Sequence, residues 1–223
     1  LGREAIEPPN RPQEPEPPFP YDQEEVSYSS GDVTLAGTLT LPRGDGLAPA
    51  ALLITGSGAQ NRDEELMGHK PFLVLADHLT RAGIAVLRVD DRGVGGSTGS
   101  VATSTSEDFA GDVLAGVGFL RNHPKIDSAR VGLVGHSEGG LVGPLAASRS
   151  GDVAYVVMLA GPGVSGAEIL SLQLEKISLT AGVPPETVAE QKKIQAQVLE
   201  ALVAPESEER TQRLRELIAA QVE

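Results

Sequence analysis

Between Val131 and Ala147 the chain reads VGLVGHSEGGLVGPLAA: an apolar run, a Gly-x-Ser-x-Gly turn, then an apolar segment of small residues. The Gly-x-Ser-x-Gly turn alone decides little; its place between the two apolar segments is what restricts the fold. The run before the turn offers no polar face to water, as expected of a strand buried on both sides. A helix that begins at the serine makes a sharp turn there, which lifts the hydroxyl clear of the sheet. Gly135 and Gly139 flank the turn, where strand and helix come too close for a Cβ atom. Ser137 is therefore the candidate nucleophile, and the competing reading is a plain glycine turn. A second match, Gly95-Gly96-Ser97-Thr98-Gly99, runs into TGSVATSTSE. That is loop sequence, so Ser97 is expected in an ordinary turn.

The flanking sequence supplies the rest of a layered fold. EVSYSS and VTLAGTLTLP alternate around Gly31-Asp32, which predicts an antiparallel hairpin. AALLITGSG and IAVLRVDD are further buried strands. KPFLVLADHLTRAG has helical spacing and stops at Gly83, and SEDFAGDVLAGVGFLRNH opens acid-rich and stops at Pro124. VAYVVMLAG is one more strand after the serine's helix. Strands alternating with helices imply right-handed crossovers and an α/β fold with a mainly parallel sheet.

The chain divides into three regions. Residues 1–22 hold the proline-rich IEPPNRPQEPEPPFP, which cannot join a sheet interior and is expected to be an extended linker. Residues 23–164 carry the strands and the serine. Residues 165–223 read as three successive helices with no strand after them. The 31 acidic against 18 basic residues leave a net charge of -13, which argues against nucleic acid or an anionic membrane as partner. No apolar run reaches the roughly 18 residues of a membrane span. The chain has no cysteine, and its histidines lack ligand spacing, so neither a disulfide framework nor a metal site is expected, and no cofactor is needed.

The stretches LLITGSGAQNRDE, GHKPFLVLADHLTRAGIAVLRVDDRGVGGSTG, VGLVGHSEGG and MLAGPGV together cover most of Val33 to Val164. In their order and spacing they resemble the bacterial esterase and serine-aminopeptidase-like branch of the α/β-hydrolase superfamily. The resemblance implies an α/β-hydrolase fold with helices on both faces of the sheet, and an acyl-enzyme formed on Ser137 from a small-molecule ester. The oxyanion would be held by backbone N–H groups: Glu138 on one side, Ser57 or Gly58 on the other. It also implies that the helices after Gly161 begin a cap over the site. A thioesterase or aminopeptidase on the same scaffold, or a non-catalytic binding module, are the alternatives.

The triad order of this fold is Ser, then Asp or Glu, then His. None of the four histidines (His69, His78, His123, His136) follows Ser137, and the only later aspartate is Asp152. His69 is the least implausible substitute base, and His136, the variable residue of the elbow, is expected to point away from the serine. Asp90, Asp91 and Arg92 are expected to form a charge-paired turn beside the site. The expectation is therefore a C-terminally truncated hydrolase, inactive alone, whose acid and base lie elsewhere. VAYVVMLAG would then be an apolar sheet edge prone to self-association. A Leu1 start leaves cytoplasmic and exported locations equally compatible with the sequence.

Overall fold

The computed structural model describes residues 11–219, so the first third of the proline-rich stretch lies outside the described residues. Residues 11–20 form turns and bends without a strand. They are tied to the folded core at two points: the Arg11 guanidinium donates to the Met67 carbonyl at 2.9 Å, and Phe19 stacks on Tyr21 at 5.3 Å.

β1 (Tyr21–Ser30) and β2 (Val33–Pro42) pair antiparallel around the two-residue turn Gly31-Asp32, where Gly31 takes a φ of 57°. In chain order come β3 (Ala48–Ile54), α1 (Pro71–Arg81), β4 (Ala85–Val89), α2 (Ser106–Arg121), β5 (Ile126–His136), α3 (Gly139–Ala147) and β6 (Val156–Leu159), with a 3-10 turn at Val101–Thr103. The sheet order is β1-β2-β4-β3-β5-β6. β4, β3, β5 and β6 run parallel, and β2 is antiparallel to both β1 and β4.

The two-residue period of a strand divides the core into two layers. Ala50, Leu52 and Ile54 of β3, with Leu87 of β4 and Leu133 of β5, pack toward α2 and α3. Ala51 and Leu53, with Val86 and Val134, pack toward Phe72 and Ala76 of α1. The continuous apolar runs of the sequence are thus strands covered on both faces. Each such fully buried aliphatic side chain contributes about 1.5–3 kcal/mol. α2 is fixed at its start by a capping box: the Thr105 hydroxyl accepts from the Asp108 N–H, and the Asp108 carboxylate accepts from the Thr105 N–H at 2.8 Å.

The residues up to Gly161 and those from Pro162 onward form separate compact units. The second consists of α4 (Gly166–Thr180), α5 (Pro185–Val203) and α6 (Glu208–Ala219), with α5 packed against both α4 and α6. Ser165 caps α4 by accepting from the Glu168 N–H, and a Lys192–Glu175 ion pair ties α5 to α4. Among the described residues no helix is long and apolar enough to cross a membrane.

Candidate active site

The last residue of β5 is His136, and α3 starts at Gly139 with Glu138 as its N-cap. Ser137 stands between them at a φ of 52°. That left-handed conformation costs a non-glycine residue on the order of 1 kcal/mol. It is not helical, which is why the helix begins two residues after the serine rather than at it. The turn is pinned on both sides. The Ser137 N–H donates to the Leu159 carbonyl at 2.9 Å, and its carbonyl accepts from the Gly140 N–H at 2.9 Å.

Close approach explains the glycines. A Cβ on Gly135 would lie 2.0 Å from the Gly139 carbonyl oxygen, and one on Gly139 would lie 2.3 Å from that of Ile54. One on Gly140 would lie 2.5 Å from the Gly161 Cα. The helix therefore rests directly on the end of β3 and on the chain leaving β6.

Three backbone N–H groups expected to face an oxyanion belong to Ser57, Gly58 and Glu138. None donates to another group among the described residues. The neighbouring Gly56 N–H is committed to the Glu64 carboxylate at 2.6 Å. The same Glu64 oxygen lies 2.8 Å from Nδ1 of His136. Glu64 is buried, only 7% exposed, and itself takes a φ of 51°. Its loop is held by Asn61, whose carbonyl accepts from the Glu64 N–H and whose side-chain oxygen accepts from the Asp63 and Glu65 N–H groups. A Cβ on Gly56 would lie 3.1 Å from the Glu64 oxygen and 3.3 Å from the Ser137 Cβ. One carboxylate thus fastens the loop after β3 against the residue that precedes the serine. Glu64 escaped the sequence reading, because RDEEL reads as a solvated charge run.

A second charged layer lies beneath. Asp90 is buried and accepts from the Arg62 guanidinium at 2.7 Å and 3.1 Å, from the Arg62 N–H at 2.9 Å and from the Gly96 N–H at 3.1 Å. Burial pushes the Asp90 carboxyl up, but these bonds outweigh it and hold the group below its ordinary value. Arg62 also reaches Glu25 and Thr38 of the hairpin. Arg92 grips Asp112 of α2 with two bonds, at 2.6 Å and 2.8 Å. The expected charge-paired turn is present at Asp90 and Arg92. Asp91 differs: it accepts only from the Thr55 hydroxyl and the Gln60 N–H, each at 2.8 Å, and burial pushes it up to about 6. Ser97 is spent on structure, donating to the Asp90 carbonyl at 2.7 Å and accepting from the Ala36 N–H at 2.9 Å.

No histidine hydrogen-bonds the Ser137 hydroxyl among the described residues. His136 turns to Glu64 instead. His123 pairs with Glu24 at 3.2 Å, and His78 is exposed in the last turn of α1. His69 exchanges two backbone hydrogen bonds with Leu66, and its buried Nδ1 has no partner among the described residues. Asp152 pairs with Arg121 at 2.9 Å.

The chain that carries this strained serine is similar to known proteins. Residues 70–215 match the family model described as serine aminopeptidase, S33. The chain belongs to this α/β-hydrolase family. It is 33% identical over 152 residues to esterase EstD of Thermotoga maritima, a match covering 67% of this chain and 36% of that protein. Among solved structures it is similar to the Pyrococcus furiosus esterase Pf2001 (20% identity, TM-score 0.56, 78% of this chain and 64% of that one). It is also similar to Est1E of Butyrivibrio proteoclasticus with ferulic acid bound (21% identity, TM-score 0.52, 70% and 56%). The α/β-hydrolase fold expected from the sequence is thus the fold observed. The chain spans about a third of the length of the curated relative it matches.

Proposed function

We propose that this S33-like α/β-hydrolase chain carries the nucleophile half of a serine hydrolase acting on carboxylic esters. The observation that carries the reading is the Ser137 elbow at a φ of 52°, flanked by uncommitted N–H groups on Glu138 and on Ser57 and Gly58. Ser137 Oγ attacks the ester carbonyl, its proton passes to a base, and the carbonyl oxygen becomes an oxyanion between the two sets of donors. Collapse expels the alcohol, which takes up the proton. Water then releases the acid by the same steps. The base and its orienting acid come from outside this chain, a reading supported by the engagement of His136 with Glu64 and of His123 with Glu24 and by the absence of a histidine bond to the Ser137 hydroxyl among the described residues.

The relatives named as esterases support carboxylic esters as the substrate class. The serine aminopeptidase description of the family model supports a second reading, an amide-cleaving enzyme with the same nucleophile. A panel of p-nitrophenyl esters and aminoacyl p-nitroanilides, offered to a polypeptide that supplies the base, separates the two. Ester turnover that vanishes in Ser137→Ala supports the first. Anilide turnover alone supports the second.

A further inference from the structure

Ser57 and Gly58, which carry two of the proposed oxyanion donors, lie in a loop that begins directly after β3 and belongs to no strand or helix. Such a loop keeps its N–H groups aimed only if its ends are fixed. Thr55 and Gln60 are those ends, and one side chain holds both. The Thr55 hydroxyl donates to Oδ1 of Asp91 and the Gln60 N–H to Oδ2, each at 2.8 Å. The backbone adds a third bond, from the Asp91 N–H to the Gln60 carbonyl at 3.1 Å. Within the span, the Gln60 side-chain amide donates to the Ser57 carbonyl at 3.3 Å. The uncommitted N–H groups of Ser57 and Gly58 therefore sit between two points fastened to a single carboxylate.

We infer that Asp91 is a positioning residue for the proposed ester hydrolysis, on which this inference rests: its ionised carboxylate fixes the loop from Thr55 to Gln60 so that the Ser57 and Gly58 N–H groups meet the oxyanion, and a proton on it loosens them. Both bonds to the ionised form are charge-assisted, roughly twice as strong as neutral ones. A proton on either oxygen removes that advantage and makes the Thr55 hydroxyl reverse its bond or give it up. No cation pairs with Asp91 among the described residues. Asp90 beside it is bonded to Arg62, Arg92 to Asp112 of α2, and Glu64 to His136. Burial first, then the like charges of Glu64 and Asp90, push the Asp91 carboxyl up to about 6. A cavity of about 250 Å³ between the sheet and α2 reaches Asp91, with Tyr28, Asp90, Arg92, Asp112 and Glu138 also in its wall. It is large enough to hold water, which gives the carboxyl a route for proton exchange. The loop is thus tight above a pH of about 6 and loose below it. Stability runs the other way, because burial favours the protonated carboxyl.

Asp91→Asn tests it. The amide cannot ionise and keeps one acceptor oxygen, so it stands for the protonated carboxyl at every pH. In a polypeptide that supplies the base, the rate constant for fluorophosphonate labelling of Ser137 is measured from pH 5 to 8 for the wild type and the variant. The base and the Glu64–His136 pair titrate in both and cancel in the ratio. The wild type is expected to react about tenfold faster at pH 8, less than the roughly 10²–10³ lost with a whole donor, and equally fast at pH 5. A ratio that stays constant across this range overturns the inference, because a merely structural defect acts at every pH. On the 223-residue chain, the Ser57 and Gly58 amide resonances are followed by NMR over the same range. They are expected to titrate with a midpoint near 6 in the wild type and to keep their acid positions in Asp91→Asn. Resonances that do not titrate overturn it too. The NMR measurement needs no base, so a titrating loop in a protein whose Ser137 never labels upholds the clamp and rejects the reaction.

Discussion

Ser137 holds its position against a conformational cost, and that cost is measurable. Glycine occupies a φ of 52° without a Cβ clash, whereas alanine keeps the clash and loses only the hydroxyl. Ser137→Gly is therefore expected to be more stable than Ser137→Ala by up to about 1 kcal/mol in urea unfolding, against the usual order of the two residues. Glu64 is another non-glycine residue in a left-handed backbone near the site, and its single carboxylate serves both Gly56 and His136. Glu64→Ala frees the loop after β3 that carries the proposed oxyanion donors. In a labelling-competent polypeptide it is expected to slow fluorophosphonate reaction by about 10- to 100-fold, toward the loss caused by removing an oxyanion donor. Glu64→Gln keeps an acceptor for Gly56 and should lose less. Asp91 gives a pH signature. Its folded value near 6 lies above the ordinary aspartate value of 3.8, so the native state binds this proton more tightly than the unfolded one. Its contribution is therefore lost as pH rises from about 4 through 6. Asp91→Asn removes that dependence, so the melting temperature of the wild type should fall relative to the variant between pH 4 and 7. The ceiling is about 3 kcal/mol for a shift of this size.

The elements arise from patterns that act over a few residues, which is why they were legible. β3, β4 and β5 are apolar runs ending in glycine or charge, and each is a strand covered on both faces. The Gly31-Asp32 turn, the Gly83 stop of α1 and the glycines around Ser137 all stand where backbone geometry or close packing requires them. The supporting acids were less legible. Glu64 meets a glycine 8 residues away and a histidine 72 residues away, a convergence that only the assembled loops create. Asp91 resembled its neighbours in a charged turn, and only the loop from Thr55 to Gln60 folding over it separates it from them. At the far end of the sheet, β6 pairs only with β5 among the described residues, and its Val157 and Met158 are 42% and 46% exposed. We propose that this edge drives self-association of the chain. Light scattering should show species larger than 23.2 kDa for the wild type and a shift toward monomer in Val157→Lys. A wild-type monomer would contradict this.

Taken whole, the chain joins two units whose chemistry differs. The first holds the sheet, the elbow and the cavity, and the second is helical. The strongly negative charge, -13, disfavours polyanions as partners. No histidine hydrogen-bonds the Ser137 hydroxyl among the described residues, and we propose that the base comes from outside this chain. Intact mass after fluorophosphonate treatment tests this, on the 223-residue chain, on a polypeptide continued beyond Glu223, and on Ser137→Ala of each. The expected result is a single adduct on the continued polypeptide, its loss in Ser137→Ala, and no adduct on the 223-residue chain. An adduct that survives Ser137→Ala would place the nucleophile elsewhere. An adduct on the 223-residue chain that requires Ser137 would show that one of its own histidines serves as the base.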